Sequence, residues 1–131
     1  MAKGLNAIGL VVADMAAAVT FYQRLGLQFA GDMDDHKECE LAGGIRLMLD
    51  TEESIKSFTP DWTRPTGGPR VALALEKDSP ADVDATFNDL VGAGYQAYRE
   101  PWDAFWEQRY ASVLDPDGNG VDLYAALPKA D

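Results

Sequence analysis

The residues best suited to binding chemistry are aromatic side chains that fall outside the predicted helices and strands. Trp62 follows Phe58 in a segment rich in proline and glycine, and Trp102, Phe105 and Trp106 lie between two predicted strands. Such rings are unfavourable in water and offer flat surfaces on which planar or cationic groups stack. These residues are candidates for lining an aromatic cleft. A second interpretation stays open, in which the rings fill a dimer interface or cover a sheet edge.

Two single residues with reactive side chains give weaker signals. The one histidine, His36, lies on an early predicted hairpin, and we interpret it as a solvated or edge-strand residue. The one cysteine, Cys39, cannot form a disulfide within the chain. Because no helix start lies beside it, we interpret Cys39 as an unreactive, half-buried thiol. We assign no catalytic residue.

Charge and hydrophobicity limit the classes of partner. The 131-residue chain has a net charge of −11, which disfavours binding to nucleic-acid phosphates and to anionic membranes. Its longest apolar run, 8–13, is too short to span a bilayer, and no secretory signal is visible. We therefore expect a cytoplasmic protein with no nucleic-acid or membrane partner. Its acidity favours solubility and could attract cationic ligands.

The elements that must position these residues form two similar halves within a single domain, 1–131. In the first half, 4–50, a strand precedes a helix that begins after Asp14, and three strands follow. Residues 51–69 lack periodicity and are predicted to be a long loop. The second half, 70–126, repeats the pattern, with a helix start at Ser79. The predicted strands are 5–12, 27–33, 36–41, 45–49, 70–76, 95–100, 108–114 and 119–125.

Two tandem β-α-β-β-β units predict an α+β fold. Neither unit closes a barrel or covers both faces of its sheet alone. Side by side, they would form one curved, mixed sheet of roughly eight strands. The helices would lie on the outer face, and a concave ligand cavity would lie on the inner face.

Two motifs lie at the ends of this duplicated frame. The first is Leu10-Val11-Val12-Ala13-Asp14, followed by Phe21-Tyr22 and Leu25-Gly26-Leu27, and the second is Asp115-Pro116-Asp117-Gly118-Asn119-Gly120-Val121-Asp122-Leu123. Either motif alone would be a weak signal, but both are correctly placed. Over nearly its whole length the chain resembles the glyoxalase/bleomycin resistance protein/dioxygenase superfamily, whose members are also called vicinal oxygen chelate (VOC) proteins.

The resemblance implies a divalent metal held on the concave face by His and Glu from four strands, and this chain departs from that pattern. The corresponding positions are Ala7, then Arg46 or Met48, then Arg70, then Asp122. Only Asp122 could bind a cation. A guanidinium repels a nearby cation by about 4 kcal/mol for unit charges 4 Å apart at an effective dielectric of 20. We therefore expect no metal and no other cofactor. Strand alternation predicts that these residues and Tyr124 point into the cavity.

Metal-free members of the superfamily include bleomycin-resistance type proteins, which sequester a drug in crevices at a homodimer interface. The resemblance implies a homodimer of that class, binding a bulky aromatic small molecule, with an antibiotic as the leading candidate. Asp122 and Arg70 could form an ion pair on the cavity floor. Alternatively, Asp122 accepts from a ligand amine or hydroxyl, and Arg70 or Arg46 binds a carboxylate or phenolate. Three tyrosines could add hydroxyl groups to the site: Tyr98, Tyr110 and Tyr124. Three acids near the tryptophans would favour a cationic ligand: Glu100, Asp103 and Glu107.

Two other functions stay open. The chain could be a VOC-fold enzyme of lyase, isomerase or dioxygenase type that acts on a secondary metabolite. Such an enzyme would be metal-free or would use Asp122 with Glu40 or Asp50. The chain could also be a regulatory or architectural dimer with no small ligand, because membership of a superfamily does not fix function.

Overall fold

The computed structural model describes residues 4–129, which form two compact units divided between Thr66 and Gly67. The first unit contains β1 Ala7–Val12, α1 Met15–Arg24, β2 His36–Glu40, β3 Arg46–Thr51 and α2 Glu52–Phe58. The second unit contains β4 Ala72–Glu76, α3 Pro80–Gly92, β5 Ala97–Asp103, β6 Gln108–Leu114 and β7 Gly120–Ala126. The predicted α+β class is confirmed. None of the helices in 4–129 has the length and hydrophobicity needed to cross a membrane.

The first unit is a three-stranded sheet in the order β1-β3-β2, with α1 packed against β3. β1 runs parallel to β3, and β2 runs antiparallel to it. α1 begins where the Asp14 carboxylate accepts a hydrogen bond from the backbone of the first turn, and Phe21 is fully buried on this helix. In β3, Leu47 and Leu49 are buried, so the alternating residues occupy the opposite face of the sheet. Those residues are Arg46, Met48 and Asp50.

The second unit is a four-stranded sheet in the order β4-β7-β6-β5, with α3 packed against β5, β6 and β7. β4 runs parallel to β7, and the other neighbours are antiparallel. Ser79 caps α3, because its hydroxyl accepts a hydrogen bond from the Asp82 amide at 3.1 Å. Pro80 fits the first helical position, because an N–H at that position would have no acceptor within the helix. The buried side chains of α3, β6 and β7 are Val83, Phe87, Leu90, Ala111, Val113, Val121, Leu123 and Ala125.

One predicted strand, 27–33, does not form within the described residues. The chain there makes a single bridge, between Ala30 and Glu38. Gly31 follows at a φ of 131°, a conformation that L side chains rarely adopt, and this conformation ends the extended backbone. The described residues therefore contain seven strands, in sheets of three and four. The prediction of one curved sheet of roughly eight strands is not confirmed.

The predicted loop 51–69 is partly wrong, because it contains α2. The Thr51 hydroxyl caps this helix by accepting from the Ser54 amide at 3.1 Å, and Glu52 and Glu53 place negative charge in its first turn. No residue of α2 is buried. The helix therefore lacks the apolar stripe by which a sequence pattern reveals a helix.

A buried carboxylate holds the hairpin between β6 and β7. Asp115 is 4% exposed, and its Oδ1 accepts from the amides of Asp117 and Asn119, both at 2.9 Å. Its Oδ2 accepts from the Asn119 side-chain amide, also at 2.9 Å. Gly118 has a φ of 84°, which favours glycine at this point of the turn. The turn sets the register of β6 on β7, and this register decides which side chains lie side by side.

Replacing Asp115 with alanine should lower the free energy of unfolding by about 2–3 kcal/mol, because two amides and Asn119 lose a charged acceptor in a buried turn. Urea denaturation followed by circular dichroism measures the loss. Pro116→Ala, at an exposed position of the same turn, is the control and should cost less than about 1 kcal/mol. Equal losses in the two variants would show that the carboxylate does not hold the hairpin.

Candidate functional site

One face of the second sheet carries the groups that could bind a ligand. In β6 and β7, Ala111, Val113 and Leu123 are buried on the α3 side, so the residues between them occupy the other face. Register places Tyr110 opposite Tyr124 and Ser112 opposite Asp122. We call this face, which carries Tyr110, Ser112, Asp122 and Tyr124, the polar face.

The Asp122 carboxylate is the centre of the polar face. Its Oδ2 accepts a hydrogen bond from the Tyr110 hydroxyl at 2.6 Å, and its Oδ1 accepts one from the Ser112 hydroxyl at 2.7 Å. Hydrogen bonds to an ionised acceptor are short and stronger than those between neutral groups. Both oxygens are therefore engaged within the sheet. No ion pair joins Asp122 to Arg70 in the part of the chain that the structure describes, so the predicted pair does not form.

Tyr110 is held in its protonated form. Burial, and after it the hydrogen bond to Asp122, raises the pKa of Tyr110 to about 12. The nearby charge of Arg99 acts in the opposite sense and lowers this pKa. At neutral pH the phenol is therefore a fixed hydrogen-bond donor and not a base.

Aromatic rings continue from the polar face onto the β5–β6 hairpin. The Tyr110 ring stacks on Tyr124 with centroids 6.2 Å apart and meets Trp106 edge to face at 5.3 Å. Trp106 also contacts Trp102 at 5.5 Å and Phe105 at 4.8 Å. Edge-to-face packing of this kind stabilises aromatic clusters. Trp106 remains 40% exposed and Phe105 86% exposed, so part of the cluster is open to solvent.

A cavity of about 320 Å³ lies against the polar face, within the second unit. Its volume is at the lower end of the range for small-molecule sites. Two of its lining residues are basic, Arg70 and Arg99, and one is acidic, Asp122. Trp106, Tyr110 and Ser112 also line it. The cavity thus combines a flat indole, two hydroxyls that are oriented by their hydrogen bonds to Asp122 and two guanidinium groups.

The structure brings together part of the predicted site. Arg70, Trp106 and Asp122 line the cavity, and Tyr124 lies on the same face. Phe105 and Trp102 contact Trp106, but Trp102 lies on β5 and not in a loop as predicted. The remaining predicted residues belong to the first unit: Arg46, Met48, Phe58 and Trp62.

Two polar residues of the cavity, Ser112 and Arg99, were not predicted. Ser112 is two residues from Tyr110 on β6, and strand alternation could have found it. Arg99 lies on β5 at a point where the register shifts on both sides, between Ala97 and Arg99 and again between Arg99 and Trp102. Such an irregularity breaks the period of two, so no sequence pattern marks Arg99.

The residues at the implied metal positions do not fit a divalent ion. Within 4–129, no three His, Cys, Asp or Glu side chains cluster in a way that could hold a metal. Asp122 already accepts from two hydroxyls, and a guanidinium, Arg70, lines the same cavity. Ala7 offers no donor atom, and a cation beside Arg70 would be repelled.

A charged network that the sequence did not reveal occupies the first unit. His36 is half-buried on the edge strand β2, with Nδ1 2.5 Å from Asp50 and Nε2 2.8 Å from Glu38. Arg46 donates to Glu38 at 2.7 Å and to Asn6 at 2.9 Å. The hydrogen bond to Glu38, and then that to Asp50, raises the pKa of His36. The prediction of an edge-strand residue is confirmed, but His36 is not simply solvated, because two carboxylates hydrogen-bond to its ring.

Comparisons with known proteins agree with this architecture. A family model described as the Glyoxalase/Bleomycin resistance protein/Dioxygenase superfamily matches residues 4–123. A solved glyoxalase/bleomycin resistance protein/dioxygenase from Nocardioides is 26% identical, with a TM-score of 0.78 over 100% of this chain and 88% of its own. A family enzyme from Burkholderia phytofirmans PsJN is 20% identical, with a TM-score of 0.84 over 95% of this chain and 100% of its own. No curated protein matches the chain.

Asp122→Asn should lower the pKa of Tyr110 from about 12 but leave it above 10.0, because the negative charge disappears while burial, the larger cause, remains. NMR titration with carbon-13 at the tyrosine Cζ measures this pKa. Asp84→Asn is the control, since Asp84 binds Arg109 on the α3 side, and it should leave the Tyr110 pKa unchanged. An unchanged pKa in Asp122→Asn would contradict the hydrogen bond.

His36→Asn should destabilise the protein in a pH-dependent way. A raised pKa means that protonated His36 stabilises the fold fully below its ordinary value of 6.5, and that this stability is lost as the pH rises through the raised pKa. The lowered pKa of Glu38 means that its contribution is present above 4.5 and is lost in more acidic solution. The stability difference between wild type and variant should therefore be largest from 4.5 to 6.5.

Urea midpoints at a series of pH values on both sides of 6.5 measure the His36 effect. Glu40→Gln, an exposed change on the same strand, is the control and should give a small difference that hardly varies over this range. A His36→Asn difference that stays constant with pH would contradict the charged network.

Proposed function

The chain belongs to the Glyoxalase/Bleomycin resistance protein/Dioxygenase superfamily, and from that premise we propose that it binds an aromatic small molecule at the polar face of its second unit, without a metal. The observation that carries the proposal is the continuous series of rings Trp106, Tyr110 and Tyr124 beside the oriented hydroxyls of that face. A planar ligand would stack on the exposed indole, and its polar groups would meet hydroxyls and guanidiniums.

Several side chains of the site are already oriented by hydrogen bonds within the protein, so few of them need to reorganise when a ligand binds. The Tyr110 and Ser112 hydroxyls are oriented by Asp122 before any ligand arrives. The Trp106 ring is oriented in turn by its N–H, which donates to the Gln108 side chain at 2.8 Å. A ligand therefore orders few side chains on binding, which removes a large part of the entropic cost.

We further propose sequestration of an antibiotic or a similar natural product in a homodimer as the use of this site. Tight binding without chemistry is sufficient for sequestration, and a few buried aromatic contacts can supply micromolar or better affinity. The 86% exposure of Phe105, next to Trp106, supports a second copy of the chain as the partner that covers the cluster.

The second candidate is a metal-independent lyase or isomerase, and one observation favours it. Asp122 is the single carboxylate among the residues that line the cavity, and it lies 2.6 Å from a phenol that stays protonated. Such a carboxylate could accept a proton from a substrate, and its protonation would release the Tyr110 hydroxyl to donate a hydrogen bond to the developing oxyanion. Chromatography of the bound compound after prolonged incubation separates the two functions: sequestration returns it unchanged, whereas an enzyme returns a product.

Titration with bleomycin-like, mitomycin-like and anthraquinone compounds should quench tryptophan fluorescence for at least one class. For that compound, calorimetry should give about a tenfold weaker affinity for Trp106→Leu, because the stacking surface is lost. Phe29→Leu is the matched control, since the Phe29 ring contacts Tyr22 in the first unit, and it should retain the wild-type affinity. Absence of quenching by all three classes, or an equal loss in both variants, would contradict the proposal.

A further inference from the structure

The six arginines of the chain differ in whether they have a partner. Arg46 binds Glu38 and Asn6, Arg64 binds Glu52, and Arg109 binds Asp84 and Asp103. Arg24 is engaged as well. The other two arginines are Arg70 and Arg99. In the described part of the chain, 4–129, their side chains have neither a hydrogen-bond acceptor nor an ion-pair partner.

Both unpartnered arginines line the same cavity. This coincidence is notable because the chain carries 22 acidic residues against 11 Lys and Arg. A long basic side chain on such a surface has many carboxylates available to it, yet these two guanidiniums remain uncommitted. The cavity lining has two positive charges and one negative charge, the opposite balance to that of the whole chain.

Asp122, the one acid of the cavity lining, forms no ion pair with Arg70 or Arg99 within the described residues. Each oxygen of Asp122 already accepts from a hydroxyl of the polar face, Tyr110 on one side and Ser112 on the other. Arg99 is the residue opposite Ser112 in the β5–β6 register, and its charge reaches Tyr110 strongly enough to lower the pKa of that phenol. Positive charge therefore lines the cavity next to the two hydroxyls.

We propose that the ligand of this cavity is an aromatic anion, with a carboxylate or a group of similar charge bound by Arg70 and Arg99 and with its ring against Trp106. This inference rests on the proposed function and specifies the ligand's charge. A planar guanidinium matches the two oxygens of a carboxylate and can donate two parallel hydrogen bonds to it. This negative charge is opposite to that of the cationic ligand which the acidic residues near the tryptophans would favour. Of those residues, Asp103 is already bound by Arg109.

Three analogues with one ring system test the charge: anthraquinone-2-carboxylate, its neutral carboxamide and its cationic 2-aminomethyl derivative. Calorimetry of the wild-type protein should give an affinity for the carboxylate about tenfold higher than for the carboxamide, with the cation weakest. The advantage of the carboxylate should shrink as salt is added, because screening weakens interactions between partly exposed charges.

Arg70→Gln and Arg99→Gln should each lower the affinity for the carboxylate by about fivefold to tenfold and leave that for the carboxamide unchanged. Arg64→Gln is the matched control, because Arg64 forms an exposed ion pair in the first unit, and it should leave both affinities unchanged. Equal affinities for the three analogues, or tightest binding of the cation, would overturn the inference while the proposed function stands. Failure of all three to bind would overturn the inference, and it would overturn the proposed function as well if the bleomycin-like and mitomycin-like compounds also failed to quench the tryptophan fluorescence.

Discussion

The short hydrogen bonds onto Asp122 determine the chemistry of the second unit. They fix one carboxylate between Tyr110 and Ser112, on three positions of two neighbouring strands. Within the described residues, Asp122 accepts from these hydroxyls and does not pair with Arg70. Burial, and after it the hydrogen bond to Asp122, raises the pKa of Tyr110 and keeps the phenol protonated. The face at which the superfamily's pattern places a cation therefore carries two hydroxyls that donate to Asp122, and Arg70 and Arg99 line the adjoining cavity.

The two units satisfy their charged groups in different ways. In the first unit, Arg46 and His36 share the carboxylate of Glu38, and His36 also binds Asp50, so charges of both signs are paired. On the polar face of the second unit, neutral hydroxyls donate to Asp122, and the two arginines of the cavity lining have no ion-pair partner within the described residues, although Arg109 of the same unit is paired. A fully paired network contributes to the stability of a fold. An unpaired charge beside a cavity is available to a ligand, which is the reason for proposing the binding role for the second unit.

The sequence predicts those parts of the molecule that have a strong period or cap. The helix starts at Asp14 and Ser79 were found because side-chain capping is a local signal. α2 was missed because it buries no residue, and the strand predicted at 27–33 failed because Gly31 turns the backbone. Arg70 and Asp122 were placed in the cavity by strand alternation. The hydrogen bonds of Asp122 depend on strand register, and the position of Arg99 depends on a β-bulge. A single sequence shows no pattern for either feature.

The aromatic contacts of the site come mainly from one hairpin. Trp102, Phe105 and Trp106 lie within five consecutive positions, whereas the buried side of the adjoining strand begins at Ala111. Ala104 is the buried residue of the tip, and its backbone closes the turn. The segment that is proposed to contact a ligand is thus separate from the segment that maintains the hydrophobic core. Natural variation could exchange these rings, and with them the range of compounds recognised, while folding stability is preserved, so homologues with identical cores can diverge in specificity.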